Sequence, residues 1–370
     1  MSLTEIFILT LLVGALGYLG QTLLFIIGAA RSYNKIAESD LPTATVLVAA
    51  KNEQENIGRC LKALDELEYP EGKLQIVLVD DKSTDNTSKI IDEFIKNKPK
   101  FVKIISTKEI GELKGKTNAL ANGTRIATGE VILTTDADCA PEKTWVKTIC
   151  SYYEPGVGVV NGFTSQEYND RFTGMQNLDF IYLLSVAAGT INTGMPISCI
   201  GNNMSYLKKA YEEVGGYESL PFSITEDFNL MMAIIRLKKY KIRMPLDRES
   251  LVVSSPCLDY KTLYRQKKRW GIGGLKAPLR GWLLMVPAYV INVAILLSPV
   301  LVFLHPITLI AWPIKMISDF VLLMFNLSGL GIASSLKHFM SYFVYSTLYV
   351  VLLPFVVISN PTVVWKERKF

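Results

Sequence analysis

Apolar residues run almost unbroken near both ends of the chain and in short bursts through its middle. Residues 3–30 carry a single charge, Glu5. That run exceeds the ~20 apolar residues that cross a bilayer. No Lys or Arg precedes it, and it is longer than the apolar region of a cleaved signal sequence. Residues 1–30 are therefore predicted to form a transmembrane anchor. Three further apolar stretches, 282–304, 306–327 and 339–359, approach spanning length. The first and third are predicted spans. The second contains Lys315 and Asp319, so a span and an interfacial helix both fit it.

The middle of the chain, 42–255, has a different rhythm. ATVLVAA (44–50) and LQIVLVD (74–80) are short continuous apolar runs, the pattern of strands buried on both faces of a parallel sheet. FVKIIST (101–107) and EVILTTDAD (130–138) read as two more strands. Between them lie EQENIGRCLKALDEL, STDNTSKIIDEFIKN and KTNALANGTRIA. The first has helical spacing, with Ile57, Leu61, Leu64 and Leu67 on one face. The second opens with cap-type residues and continues amphipathic. The alternation predicts a mostly parallel, doubly wound α/β sheet of Rossmann type.

Composition sharpens this division. The chain has 370 residues, 49% of them hydrophobic, and a mean hydropathy of +0.26. A polar domain joined to membrane segments gives such an average. The net charge of +5 does not indicate a nucleic-acid partner. The 5 cysteines form no C-x-x-C pair, which argues against a disulfide framework or zinc ribbon. The 2 histidines, His305 and His338, both lie in the apolar C-terminal third. Ser-His-Asp, Cys-His and His-ligated zinc chemistry are thereby excluded from the polar domain. Acid–base or metal chemistry there must rest on carboxylates.

Four clusters supply such groups. Asp80 and Asp81 end the second predicted strand, on the side where doubly wound folds bind ligands. Turn and cap roles account for Ser83 and Asp85; a calcium loop over 81–86 fails because Asn86 stands where Gly is needed. Asp136 and Asp138 end another predicted strand. Alternate positions on an extended segment point the same way, so the pair suits a hard divalent cation that bridges phosphates; a simple turn before Pro141 is the plainer reading. GELKGKTNAL (111–120) is one residue too short for a phosphate-binding P-loop. Its Lys116, at a predicted helix start, suits a phosphate or a base, or simply the surface. In SITEDFNLMM (223–232), Thr225 is expected to cap a helix whose first turn carries Glu226 and Asp227. Acidic residues there complement the helix dipole, and they are also general-base candidates. Residues 256–281 are basic, with aromatics and glycines interspersed. Attraction to lipid headgroups explains Lys276 and Arg280 but not Gln266, Arg269 and Trp270.

AAKNE (49–53), VDDKSTDNT (79–87), GKTNAL (115–120), TDAD (135–138), GNN (201–203), TED (225–227) and QKKRW (266–270) follow one another in this order. Together they resemble the membrane-bound family 2 glycosyltransferases of GT-A fold. The resemblance is to the branch of ceramide glucosyltransferases, chitin-oligomer synthases, and cellulose and hyaluronan synthases. It runs from Val46 to Trp270, and TED followed by Q-x-x-R-W is its most specific pair. It implies a GT-A domain (42–255) set between the N-terminal helix and about three C-terminal transmembrane helices (282–359), with a basic interfacial segment (256–281) and a tail (360–370).

The resemblance also implies roles. Glu53, Asp80 and Asp81 contact the base and ribose of a UDP- or GDP-sugar. Lys116 helps hold the nucleotide, and Asp136 and Asp138 bind Mg²⁺ or Mn²⁺ and the diphosphate. Asp227 is the base beside Glu226. Gln266, Arg269 and Trp270 close over the diphosphate and acceptor, and Asn202 and Asn203 line the acceptor side. The implied activity is an inverting, metal-dependent transfer to a lipid or lipid-linked glycan. A processive polysaccharide synthase and a non-catalytic nucleotide-sugar-binding membrane protein are the alternatives. Arg31, Lys35 and the basic run 261–280 place the domain in the cytoplasm, at a bacterial inner membrane. Three C-terminal spans would then leave the tail outside.

Overall fold

The computed structural model describes residues 1–106, 109–221, 223–275 and 277–359, with residue 362 and the backbone of 364, 365, 368 and 369 beyond them. The predicted basic position Lys276 and most of the basic tail, Lys366 included, lie outside the described residues. The chain divides into two compact units, Arg31–Ser165 with Cys199–Ser255, and Met1–Ala30 with Gln166–Ser198 and Pro256–Phe370.

Among the described residues ten strands build the polar unit: β1 (Ala44–Ala50), β2 (Leu74–Asp80), β3 (Phe101–Ile105), β4 (Val131–Asp136), β5 (Cys139–Pro141), β6 (Val157–Asn161), β7 (Thr164–Gln166), β8 (Met204–Leu207), β9 (Lys241–Arg243) and β10 (Val252–Ser254). The main sheet runs β3-β2-β1-β4-β8-β6-β9, and a smaller one β5-β10-β7. β1, β2, β3 and β4 are parallel, as the apolar runs predicted. β8 runs antiparallel to both β4 and β6. This is a mixed α/β fold whose main sheet is mostly parallel. Register sets the strand ends level: Ala50 pairs with Asp80 on one side and Ala49 with Asp136 on the other. One strand separates the two carboxylate-bearing ends, about 10 Å at ~4.8 Å per strand.

The core explains the continuous apolar runs. Val46, Val48, Ile76, Leu78, Val131 and Leu133 are fully buried on one side of the sheet, with Ile57, Cys60, Leu61 and Leu64 packed over them. The helix expected over 53–67 is confined to Ile57–Asp65. Its predicted first turn is held elsewhere: Glu53 N–H donates to Thr87 Oγ1 (2.7 Å) and Gln54 N–H to Asp85 Oδ2 (3.1 Å). Asn52 and Lys82 adopt positive φ, the left-handed conformation that lets the two loops turn sharply beside each other.

In the other unit, helices Leu3–Ala29, Leu279–Leu301, Pro306–Gly329 and Ala333–Ser359 are each long and apolar enough to cross a membrane. Their outer faces present large apolar side chains, with Leu16 70%, Val300 68% and Phe355 62% exposed. Such faces suit lipid rather than water. The chain is a membrane protein. A further helix, Arg171–Asn192, which the sequence reading did not single out, packs among them. Gly28 and Gly189 let it approach the N-terminal helix at backbone distance, since a Cβ on either would collide with the partner's main chain. Asn192 Nδ2 donates to Gly28 O there (2.9 Å).

Lys315 and Asp319 are 2% and 1% exposed. Lys315 Nζ bonds Asp319 and Ser346 Oγ (3.0 Å), and Tyr18 OH donates to Asp319 Oδ1. The charges of the 311–329 helix thus face the interior of the apolar unit, paired one turn apart and satisfied from two other helices.

Candidate active site

β2 delivers Asp80 and Asp81, both buried. Asp80 Oδ1 accepts from Ser83 N–H (2.9 Å) and Asp81 N–H donates to Ala50 O (2.8 Å). Asn52 Oδ1 accepts from Thr84 N–H (2.9 Å) and Asn52 N–H donates to Ser83 Oγ (3.1 Å). The loop after β1, which carries Glu53, is therefore stitched to the loop after β2. Glu53 Oε2 accepts from Asn56 Nδ2 (2.9 Å).

β4 ends at Asp136, and residues 137–138 form a turn before β5. The extended alternation expected through Asp138 is absent. The turn forms because the Asp138 carbonyl is captured by Arg59 Nη2 and by Ser255 N–H (3.0 Å). Asp136 and Asp138 nevertheless remain electrostatic neighbours. Burial raises the Asp138 carboxyl to about 6, and Asp136 and then Glu53 push it the same way. The thiol of Cys139 donates to Asp138 Oδ1 (3.4 Å), and that of Cys60 to Asp136 O (3.6 Å). Burial, with the carboxylates beside them, holds both thiols above their ordinary range.

Lys116 sits in the first turn of the helix Gly115–Ile126. Its ammonium lies 2.6 Å from Asp136 Oδ1 and 3.4 Å from Glu226 Oε1. Burial alone would lower its pKa; Asp136 and Glu226 outweigh that and hold it well above the usual lysine range. The strand-end and TED clusters thus meet at one cation.

Glu226 and Asp227 occupy the first turn of the helix Glu226–Arg236. Thr225 stands at its N-cap position but does not cap it through its side chain. Its hydroxyl instead pairs with Ser223 Oγ (3.0 Å). Asp227 Oδ1 accepts from Phe228 N–H (2.7 Å). A Cβ placed on Gly201 would stand 3.2 Å from Asp227 Oδ2, so the glycine eases the close approach of the GNN turn to the TED helix. The two asparagines after it are buried. Asn202 Oδ1 accepts from Thr164 Oγ1 (2.9 Å). Asn203 donates to Phe163 O (2.7 Å) and Ser250 O (3.0 Å) and accepts from Trp145 Nε1 (2.9 Å). These bonds brace the turn against the scaffold.

In the apolar unit, Gln266, Arg269 and Trp270 lie on the helix Tyr260–Gly274, capped by Asp259. Trp270 stacks on Phe180 at 5.5 Å and 14°. Lys267, one of the two unassigned motif positions, forms a buried ion pair with Asp179 and stands 4.3 Å over the Trp270 ring. Gln266 and Arg269 are half-buried.

Several of these residues carry no sequence signal. Arg59, Ser255 and Asp179 belong to no motif; chain folding alone brings them beside residues that do.

The donor set fits a divalent cation. Among the described residues no group of three or more His, Cys, Asp or Glu side chains is arranged to hold a metal. Two neighbouring carboxylates, Asp136 and Asp138, are the donor type that Mg²⁺ or Mn²⁺ takes, with waters or phosphates in its other positions.

The chain matches the family model described as Glycosyl transferase family 2 over residues 45–215. It matches that described as Glycosyl transferase family group 2 over residues 131–359, more than half its length. It belongs to glycosyltransferase family 2. The chain is 31% identical over 247 residues to "Probable glycosyltransferase YdaM" of Bacillus subtilis, covering 63% of this chain and 56% of that protein. It is 27% identical over 248 residues to beta-monoglucosyldiacylglycerol synthase of Synechocystis sp., covering 65% and 50%. The chain thus spans about half the length of the curated relatives it matches. Its fold is similar to that of the mannosyltransferase PcManGT from Pyrobaculum calidifontis, solved in complex with GDP-Man and Mn²⁺. The TM-score is 0.58 at 19% identity over 97% of this chain and 99% of that one. The chain has the GT-A fold.

Proposed function

We propose that this glycosyltransferase moves a sugar from a nucleoside-diphosphate sugar to a lipid or lipid-linked acceptor with inversion at the anomeric carbon. The observation that carries the reading is Lys116, whose ammonium joins Asp136 of the D-x-D to Glu226 of TED. Donor-side and acceptor-side carboxylates therefore belong to one charged cluster in the polar unit.

Glu53, Asp80 and Asp81, on the stitched loops after β1 and β2, hold the nucleoside. Asp136 and Asp138 would hold Mg²⁺ or Mn²⁺. A cation bound there supplies charge neutralisation to the departing diphosphate. Lys116 adds a fixed positive charge beside Asp136, and charge fixed before reaction needs no reorganisation as the leaving group develops. Asp227 takes the proton of the acceptor hydroxyl as that oxygen forms its bond to the anomeric carbon. The bond to the diphosphate breaks on the opposite face, which is what inversion requires. Glu226, tied to Lys116, orients the cluster. The family resemblance assigns Gln266, Arg269 and Trp270 to the leaving diphosphate and Asn202 and Asn203 to the acceptor side.

A membrane-bound enzyme has ready access to an acceptor in the bilayer, and the Synechocystis relative is named as a synthase of a glucosylated diacylglycerol. The basic residues Arg31 and Lys35, which follow the first apolar helix, favour a cytoplasmic polar unit. The test is a panel of radiolabelled UDP- and GDP-sugars incubated with the enzyme and total membrane lipid. A labelled, solvent-extractable product supports the reading. A size ladder of polymer would assign processive synthesis instead, and donor binding without turnover would remove catalysis.

A further inference from the structure

The Asp138 carbonyl is the hub of a small network. It accepts from Arg59 Nη2, from Ser255 N–H (3.0 Å) and from Ser255 Oγ (3.4 Å). The same guanidinium nitrogen also donates to Ser255 Oγ (3.1 Å) and to Val253 O (3.4 Å). Ser255 Oγ in turn reaches Asn56 Oδ1 (3.2 Å), and Asn56 Nδ2 donates to Glu53 Oε2 (2.9 Å). Three segments converge: the first turns of the helix Ile57–Asp65, the end of β10, and the turn after β4. This network replaces the extended geometry that the sequence predicts through Asp138.

We infer that Arg59 and Ser255 are positioning residues for the D-x-D: by fixing the main chain of Asp138 they aim its carboxylate toward Asp136 and Glu53 as a ready-made cation site. The physical reason is repulsion. Two carboxylates and a third nearby repel one another, and that repulsion favours any main-chain shift that spreads them apart. A planar guanidinium holding two carbonyls and a hydroxyl from behind resists it without occupying the carboxylates. Asn56 extends the brace to Glu53, so donor-side and cation-side groups are set by one network. Outer-shell partners of this kind usually tune metal affinity about 10- to 100-fold.

The inference rests on the reading that Asp136 and Asp138 bind a divalent cation, and its test separates the two. Mn²⁺ binding is followed by electron paramagnetic resonance on the purified full chain in detergent. It is measured with Mn²⁺ alone and with UDP or GDP added, well below each variant's unfolding temperature. Arg59→Met should weaken Mn²⁺ binding at least tenfold, and Ser255→Ala should weaken it less. Arg59→Lys, which keeps the charge and one donor nitrogen, should recover part of the loss. In an Asp138→Asn background Arg59→Met should add nothing further, because it acts through Asp138. Wild-type Mn²⁺ affinity in Arg59→Met, whatever its unfolding temperature, would overturn the inference and leave Arg59 a structural brace. Wild-type affinity in Asp138→Asn would instead overturn the metal reading itself, and this inference with it.

Discussion

Lys116 holds its ammonium 2.6 Å from a carboxylate oxygen of Asp136. The pair brings the start of one helix onto the end of β4, and Glu226 completes the contact at 3.4 Å. Removing the cation takes away the positive charge that links the two carboxylates. Lys116→Met is therefore expected to lower kcat/KM for donor at least tenfold while the protein stays folded. Initial rates across donor concentration, alongside thermal unfolding, check this; an unchanged kcat/KM would make the lysine a structural bridge only.

The two TED carboxylates differ in surroundings, and their variants should differ in effect. Asp227→Asn is expected to keep nucleotide binding and lose about 10²–10⁴-fold in transfer, the usual cost of removing a positioned base. Glu226→Gln should cost less, because it retains a polar contact to Lys116. Gly201→Ala, which places a methyl group in contact with Asp227, should lower kcat without altering donor affinity. Calorimetry with UDP or GDP and turnover measurements on the same samples separate binding from transfer.

Asp138 gives a pH signature. Burial first, then Asp136 and Glu53, hold its carboxyl at about 6, whereas an unfolded aspartate titrates near ~3.9. Between these values the folded chain binds more protons than the unfolded one. The contribution of Asp138 to stability is therefore present at low pH and lost as pH rises through about 6. In chelator, Asp138→Asn should gain unfolding temperature relative to wild type as pH rises from ~4 past that point, then level off. Added Mn²⁺ should restore the wild type and leave the variant unmoved. A difference independent of pH would contradict this origin.

The buried ion pairs of the apolar unit should respond asymmetrically. Lys315 and Asp319 are almost fully enclosed, as are Lys267 and Asp179. Truncating one member strands a charge and is expected to cost about 3–5 kcal/mol, whereas replacing both by apolar residues of similar size is close to neutral. Unfolding in detergent of Lys315→Met, Asp319→Leu and the double variant tests this, as does the same series at Lys267 and Asp179. Equal losses in single and double variants would show that the pairs contribute net stability.

The side of the membrane that the C-terminus faces is also testable. With a cytoplasmic polar unit and three C-terminal spans, Phe370→Cys should react with an impermeant maleimide in intact cells. Labelling only after lysis would mean that one of the three apolar stretches does not cross.

The local chemistry of the chain determined much of this protein. Continuous apolar runs announced β1, β2 and β4 because a strand covered on both faces has no polar side to reveal. The absence of histidine from the polar segment forced attention onto carboxylates, and the ordered motifs carried the resemblance that the family match bears out. What only the tertiary structure decided are relations between distant segments. The antiparallel β8 and the small sheet β5-β10-β7 are too short for periodicity to mark, and their pairing is set by partners far along the chain. The turn at Asp138 exists because Arg59 and Ser255, 79 and 117 residues away, take its carbonyl. Thr225 loses its capping bond to Ser223, a choice that local propensity does not make. Lys315 and Asp319 left the middle apolar stretch open to two readings. Tyr18 and Ser346, from other helices, settle that the pair faces inward, because a buried charge keeps its place only where the fold supplies its partners.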